Sequence, residues 1–295
     1  MNRTRMLAIS AILFTTVLWG LSFVSIKITV AVIPPMTLAL LRFLIASVLL
    51  IIMLKKLEPD TQLARKDMPL MALAGIIGVT AYFYFENNGV KLTTASAASM
   101  IIATIPIFTI VGDCIFFKTP LSLTKLVSVV LSVIGVYCIV SVSLQDEVSG
   151  SLLGNLFMLG ASLAWVVYSL ATRPLSGRYS QLAVVTYQTL FGTLALVPFS
   201  ILEAGEWQAF NWDIVLHIIY LGVFCSALGY YLYVYAMDIL GVGSISLFIN
   251  LIPVVSVIGG FFILQEPVTA LQLLGGAIIL FSVYIASSKE KEKKK

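Results

Sequence analysis

Charge is scarce in this sequence. Only 11% of its 295 residues are Asp, Glu, Lys or Arg, against 60% drawn from A, V, I, L, M, F, W, Y and C. Soluble domains carry about 25% charged and roughly 45–50% apolar residues. The 18 basic and 14 acidic side chains cannot cover a globule of this size, so a soluble exterior is excluded. Histidine occurs once, as His217, and cysteine three times, as Cys114, Cys138 and Cys225, with no CxxC spacing. That leaves no donor set for a metal, no disulfide framework and no expected cofactor. A GxxxxGK[ST] phosphate loop is lacking, which argues against direct ATP drive, and nothing resembles the basic, polar surface that nucleic acid requires. Disorder is excluded by the high hydrophobicity.

Long apolar runs are abundant. Ten approach the ~20 residues needed to cross a hydrocarbon core as a helix: 7–30, 36–54, 69–90, 95–117, 124–142, 152–171, 181–202, 213–236, 243–264 and 270–287. Helix is the open option, because a lipid-exposed backbone must satisfy its own hydrogen bonds and the alternation of a membrane barrel is absent. The first run is too long and too polar, with Ser22 and Lys27 inside it, for a signal-peptide core. Fifteen of the 18 Lys and Arg residues fall in the termini and in alternate loops, including Arg3, Arg5 and the closing KEKEKKK, while the intervening loops hold Asp146, Glu147, Glu203 and Glu206. Positive charge stays inside, so both termini are expected in the cytoplasm.

The chain also repeats itself. At an offset of 146 Trp19 meets Trp165, Lys27 meets Arg173 and Arg42 meets Gln188; at 147 Gly75 meets Gly222, Ile105-Pro106 meets Ile252-Pro253 and Val136-Tyr137 meets Val283-Tyr284. Five spans per half is an odd number, so the second copy enters the membrane from the opposite side. The expected fold is an all-α polytopic membrane protein of ten transmembrane helices in two inverted five-helix repeats, 1–147 and 148–288, followed by a basic cytoplasmic tail, 289–295. Such halves can enclose a midplane site and exchange outward-open and inward-open states.

Trp19-Gly20, the LRFLIA of Leu41 to Ala46 and the closing LIPVVSVIGGFFILQEPVTALQLLGGAIIL of Leu251 to Leu280 resemble the EamA family of the drug/metabolite transporter superfamily. The resemblance runs through nearly the whole chain in two copies. It implies a ten-helix, inverted-repeat carrier of a bacterial plasma membrane, in a family with many exporters of amino acids, other metabolites or toxic compounds. The halves depart from one another where Glu266 precedes Pro267 but Thr119 precedes Pro120.

Ionisable groups inside spans are costly unless paired or hydrated, which makes Lys27, Arg42, Glu86 and Asp113 functional candidates. Lys27, Arg42 and Glu86 are placed in the outer half of the membrane, where two cations and a carboxylate can bind a zwitterionic or anionic solute, or Glu86 can serve as the proton-coupling group. The competing reading is a structural ion pair and a snorkelling lysine. Trp19, Ser22 and Lys27 share one helical face, as do Trp165 and Tyr168 in the partner span, and can line two walls of one cavity. Tyr230, Tyr231, Tyr233 and Tyr235 crowd the eighth span; Tyr230 and Tyr233 share a face, Tyr231 and Tyr235 another, and the spacing does not choose between them. Asn250, three residues before Pro253, can mark a local break that presents backbone dipoles to a ligand, but an ordinary interhelical hydrogen bond within a continuous helix is the preferred reading. Thr94 to Ser99 and Gly241 to Ser244 are small-residue stretches suited to close packing or a hinge, and Glu266 is expected to start a helix.

These residues point to a secondary transporter, embedded in lipid, that exports small organic solutes by alternating access, with protons as a candidate coupling ion. The alternatives are an uncoupled facilitator of the same solutes and a non-transporting receptor or assembly subunit. An intramembrane enzyme would need a nucleophile with its base or a metal cluster, and the sequence offers neither.

Overall fold

The computed structural model describes residues 3–118, 122–143, 151–175, 177–240 and 248–292. Among the described residues every regular element is helical. The first half holds α1 (Arg3–Val30), α2 (Pro35–Leu57), α3 (Met68–Gly75) running through a π-helical stretch (Ile76–Ala81) into α4 (Tyr82–Leu92), then α5 (Ala95–Ile102), α6 (Ile105–Phe117) and α7 (Leu123–Ser143). The second holds α8 (Leu152–Thr172), α9 (Gln181–Leu202), α10 (Trp212–Ile219) running through a π-helical stretch (Tyr220–Leu228) into α11 (Gly229–Leu240), then α12 (Ile252–Ile263) and α13 (Ala270–Glu292). Among the described residues, eight continuous stretches are long and apolar enough to cross a membrane, and Ile252–Ile263 and Ala270–Ile285 are shorter apolar helices.

The ninth run departs from the single helix expected over 243–264. A turn at Asn250 and Leu251 precedes α12, which opens on Ile252-Pro253. The fourth run breaks in the same way, with a turn at Ala103 and Thr104 before α6 opens on Ile105-Pro106. Proline lacks the N–H that an uninterrupted helix needs but is at home in a first turn, so each Ile-Pro begins a new helix. Thr94 caps α5 by accepting from the Ala97 N–H at 3.0 Å, and the small residues after it are buried, with the Ser256 hydroxyl of α12 donating to the Ala95 carbonyl at 3.1 Å. Close packing, expected of Thr94 to Ser99, is thus what that stretch does; Gly241 to Ser244 lie outside the described residues.

Burial is inverted relative to a soluble protein. Leu44, Val48, Val133, Leu163, Leu194, Phe262 and Phe281 are exposed, while Thr15, Thr29, Arg42, Glu86, Gln188 and Ser256 are buried. An aliphatic exterior around a polar interior is what lipid as solvent selects.

Helices α2 and α9 pack together along their length and hold one another at three levels. Glu203, at the C-terminal end of α9, accepts from the backbone N–H groups of Met36 (3.0 Å) and Thr37 (2.7 Å) and from the Thr37 hydroxyl (2.9 Å) at the start of α2. Glu58, at the C-terminal end of α2, accepts at 2.5 Å from the hydroxyl of Ser180, the N-cap of α9. Carboxylates are favoured at helix N-termini, where unpaired N–H groups and the helix dipole meet them. Midway, Ser47 and Thr193, 146 residues apart, share a hydrogen bond of 3.0 Å.

Other features recur at nearly the same spacing. The π-helical stretches lie at 76–81 and 220–228. Lys118 and Gln265, 147 apart, have positive φ of 52° and 54°. Gly75 lies against the carbonyl of Gln188, and Gly222 against that of Arg42. A Cβ at Gly222 would stand 2.9 Å from the Arg42 oxygen, so only glycine lets the two helices come this close.

Candidate functional site

The sites of interest lie where α2, the α3–α4 span, α8, α9 and the α10–α11 span converge. Arg42, on α2, is 5% exposed. Its Nε donates to the Ser226 hydroxyl at 2.6 Å, and its guanidinium carbon lies 4.6 Å from the Phe83 ring centroid and 5.3 Å from that of Phe43. Ring faces attract a cation and hold the guanidinium plane in place. Glu86, one turn after Tyr82 on α4 and also 5% exposed, accepts the Tyr82 hydroxyl proton at 2.7 Å. Arg42 and Glu86 feel one another's charge without meeting as an ion pair within 4.0 Å.

Aromatic rings connect this charged group to a cavity. Tyr82 meets Trp165 edge-on at 5.2 Å and Trp165 meets Tyr168 at 5.3 Å. The cavity, narrow in this conformation with about 20 Å³ open to water, is walled by Phe43, Gly78 and Val79 of the first half and by Trp165, Tyr168, Gln188 and Tyr230 of the second, among others. Tyr168 donates to the Gln188 side-chain oxygen at 3.0 Å, and the Gln188 amide donates to the Thr172 hydroxyl at 2.9 Å, so the cavity wall is itself hydrogen-bonded into a fixed shape. On the far side of Tyr230, Trp19 packs against both Tyr230 and Tyr233 at 5.5 Å and donates its indole N–H to the Cys225 carbonyl of the π-helical stretch at 2.9 Å. Both π-helical stretches border this region, a placement common for π-bulges at functional sites.

Trp19, Arg42, Glu86, Trp165, Tyr168, Tyr230 and Tyr233 are therefore neighbours or linked through one shared ring. Of the two tyrosine faces in the eighth span, the one bearing Tyr230 and Tyr233 meets Trp19. Lys27 is not part of the group: its ammonium donates to the carbonyls of Val90 (2.9 Å), Lys91 (3.1 Å) and Thr93 (2.5 Å), closing the C-terminal end of α4. The expected three-charge cluster is thus divided, because Lys27 faces a helix end. Ser22 donates to the Trp19 carbonyl one turn back at 2.7 Å, and Asn250 sits in the turn before α12. The Asp113 side chain lies outside the described residues. Glu266 caps a helix start, but that of α5 rather than its own: it accepts from the N–H groups of Ala95 (2.7 Å) and Ser96 (3.1 Å) and the Ser96 hydroxyl (2.8 Å).

Sequence reasoning missed Tyr82, Phe43, Phe83, Ser226 and the role of Gln188. Tyr82 carries a readable signal, since four residues before Glu86 is the same helical face. The rest are cross-helix contacts with no local mark. No group of three His, Cys, Asp or Glu suited to a metal occurs among the described residues.

Known proteins resemble the chain along nearly its full length. A protein of Archaeoglobus fulgidus named "Uncharacterized transporter" is 29% identical over 280 residues, covering 93% of this chain and 96% of the relative. The "Uncharacterized transporter YetK" of Bacillus subtilis is 29% identical, covering 92% and 84%. The "Probable terminal-alkyne amino-acid exporter" of Streptantibioticus cattleyicolor is 28% identical, covering 96% and 94%. One solved crystal structure, 19% identical, superposes with a TM-score of 0.61 over 96% of each chain, a likeness of fold. The EamA-like transporter family matches twice, over residues 6–141 and 152–288. Matched over both halves by this family and built of apolar helices around a polar interior, the chain is a multi-pass membrane transporter of small solutes, and it belongs to the EamA-like transporter family.

Proposed function

We propose that this transporter is a secondary carrier that exports small organic solutes, amino acids or related compounds and toxic compounds among them, by alternating access. The observation that carries the reading is a single cavity walled by both halves of a chain whose structural features recur every 146 or 147 residues. Two inverted five-helix halves around one site, related by a pseudo-two-fold axis in the membrane plane, give two openings of similar energy, the requirement for alternating access. The distribution of Lys and Arg supports an orientation with both termini in the cytoplasm. Relatives from Bacillus subtilis and Streptantibioticus cattleyicolor support a bacterial plasma membrane, and the latter's exporter name supports the direction and an amino-acid-like solute. Glu86, a buried carboxylate beside the cavity, is the group that exchanges the coupling proton. Each charge moved down the membrane potential supplies about 2.3 kcal/mol per 100 mV.

The test is efflux from proteoliposomes preloaded with amino acids, nucleosides and cationic dyes, with and without an imposed pH gradient. Gradient-stimulated loss of particular solutes is expected. Saturable loss that ignores the gradient makes the protein a facilitator, and no flux of any solute overturns the carrier reading.

A further inference from the structure

The two ends of the molecule are fastened differently. Asp67 closes a short 3₁₀ turn (Arg65–Asp67) and stands at the N-cap of α3, yet its side chain makes no bond to that helix, although aspartate is among the residues that favour the position. The carboxylate turns instead to the other half. Its Oδ1 pairs with the Arg178 guanidinium at 2.5 Å and its Oδ2 accepts from the Tyr179 hydroxyl at 2.8 Å. The same two connections meet again beside it: the Tyr179 oxygen accepts from the Ala64 N–H at 3.2 Å, and the Tyr187 hydroxyl donates to the Thr61 carbonyl at 3.3 Å. Leu63 and Leu70 pack over Met71, Leu175 and Val184 beneath them. Asp67 is 5% exposed while Arg178 is half exposed, so the acid is the member whose charge is out of water and depends on its partners.

At the other end the corresponding side chains do not offer this contact. At an offset of 146 Asp67 meets Asp213, which is exposed and takes a hydrogen bond from Asn211, two residues away, at 3.4 Å. Arg178 and Tyr179 meet Val32 and Ile33, which are aliphatic. The segment from Val30 to Pro34 walls a pocket with about 420 Å³ open to water, together with Lys27, Lys91, Glu206 and Gln208. Helices α1 and α10 touch at that end through Ser25 and His217, at 2.9 Å. Glu58 and Glu203 clasp α2 and α9 at both ends and so do not distinguish them. The molecule is thus bolted at one end, narrow in the middle and hollow at the other.

Resting on the carrier reading above, we infer that Asp67 is the latch of the end formed by residues 58–67 and 178–187, the cytoplasmic end in the proposed orientation. Its bonds to Arg178 and Tyr179 hold that end shut, and solute passes there only after they break. A partly exposed ion pair with one added hydrogen bond is strong enough to bias two states of similar energy and weak enough to open in every cycle. On opening, water takes the place of Arg178 and Tyr179 around the carboxylate, which keeps the step reversible.

The test uses Val185→Cys as a reporter, since Val185 lies one turn into α9 and lines the central cavity. It is carried in the full chain with Cys114→Ala, Cys138→Ala and Cys225→Ala, and its labelling by a membrane-impermeant maleimide is followed in sealed inside-out and right-side-out vesicles. Asp67→Ala and Arg178→Gln each raise labelling about 3- to 10-fold from the side bearing residues 58–67, as expected for the loss of a partly exposed ion pair, and do not raise it from the other side. Tyr179→Phe, which removes one bond, gives a smaller rise on the same side. Unchanged labelling in Arg178→Gln, or an equal rise from both sides, overturns the inference. Because Arg178 is half exposed, Arg178→Gln decides the matter if Asp67→Ala fails to fold. Solute flux without a one-sided rise sinks the latch and leaves the carrier standing, whereas a one-sided rise in a chain that moves no solute does the reverse.

Discussion

Arg42 and Gln188 stand 146 residues apart at corresponding positions of the two halves, and Glu86 and Tyr233 stand 147 apart. One member of each pair is charged and the other neutral. Gln188 is consumed by Tyr168 and Thr172, whereas Arg42 keeps its terminal nitrogens free. The backbone reads differently: Gly75 meets the Gln188 carbonyl as Gly222 meets that of Arg42, and the π-helical stretches and left-handed helix ends recur at nearly the same spacing. Chain geometry has been held alike in the two halves while side-chain chemistry has diverged. That is the pattern expected when a movement needs symmetry and a solute does not.

The widest effect is expected from removing the difference. Arg42→Gln gives the first half the residue of the second, and apparent solute affinity falls by about 10- to 100-fold in efflux measurements, the range set by charged hydrogen bonds. A smaller loss would mean that the charge is structural. Glu86→Gln keeps an acceptor for the Tyr82 hydroxyl while removing the titratable carboxyl, so solute-saturated efflux becomes insensitive to an imposed pH gradient; retained stimulation moves the proton elsewhere.

The likeness of the halves can be broken at the glycines. Gly75→Ala and Gly222→Ala each force a Cβ into an opposing carbonyl, and each destabilises the detergent-solubilised protein by about 1–3 kcal/mol in thermal unfolding. Costs that differ several-fold would show that the two crossings are not equivalent. The least effect belongs to the carboxylates that clasp α2 and α9. Glu203→Gln weakens three half-buried bonds and costs about 1 kcal/mol, whereas Glu58→Gln weakens an exposed bond from Ser180 and a long one from Thr61 and costs less than about 0.5 kcal/mol, measured the same way.

Much of this was legible in the chain, because lipid as solvent imposes a long and simple code. The apolar runs mark where the helices lie; the break before Ile252-Pro253, weighed in the sequence against an ordinary interhelical hydrogen bond at Asn250, is seen only in the structure, at Asn250 and Leu251. What hydropathy hides is azimuth. Lys27 and Arg42 both belong to the outer half of the membrane by their positions in their spans, yet one faces the carbonyls closing α4 and the other a ring-lined interior. Tyr82 could be inferred from its one-turn spacing to Glu86, but Ser226 reaches Arg42 from 184 residues away, a contact no local pattern encodes. The destination of Glu266 was hidden for the same reason: a carboxylate beside a proline reads as the start of the next helix, and only the packing shows that it serves α5.

The clasp between α2 and α9 has an ancestral meaning. Each helix ends in a carboxylate that holds the beginning of the other, with Glu58 one position out of register from Glu203, and Ser47 touches its own counterpart Thr193 between them. Such a contact is self-complementary: a single half-length chain carrying one such helix would find both locks by meeting an upside-down copy of itself. The join between the halves would then be a convenience of inheritance and not a condition of assembly, and residues 1–147 and 148–295 made as separate polypeptides in one cell should be recovered together.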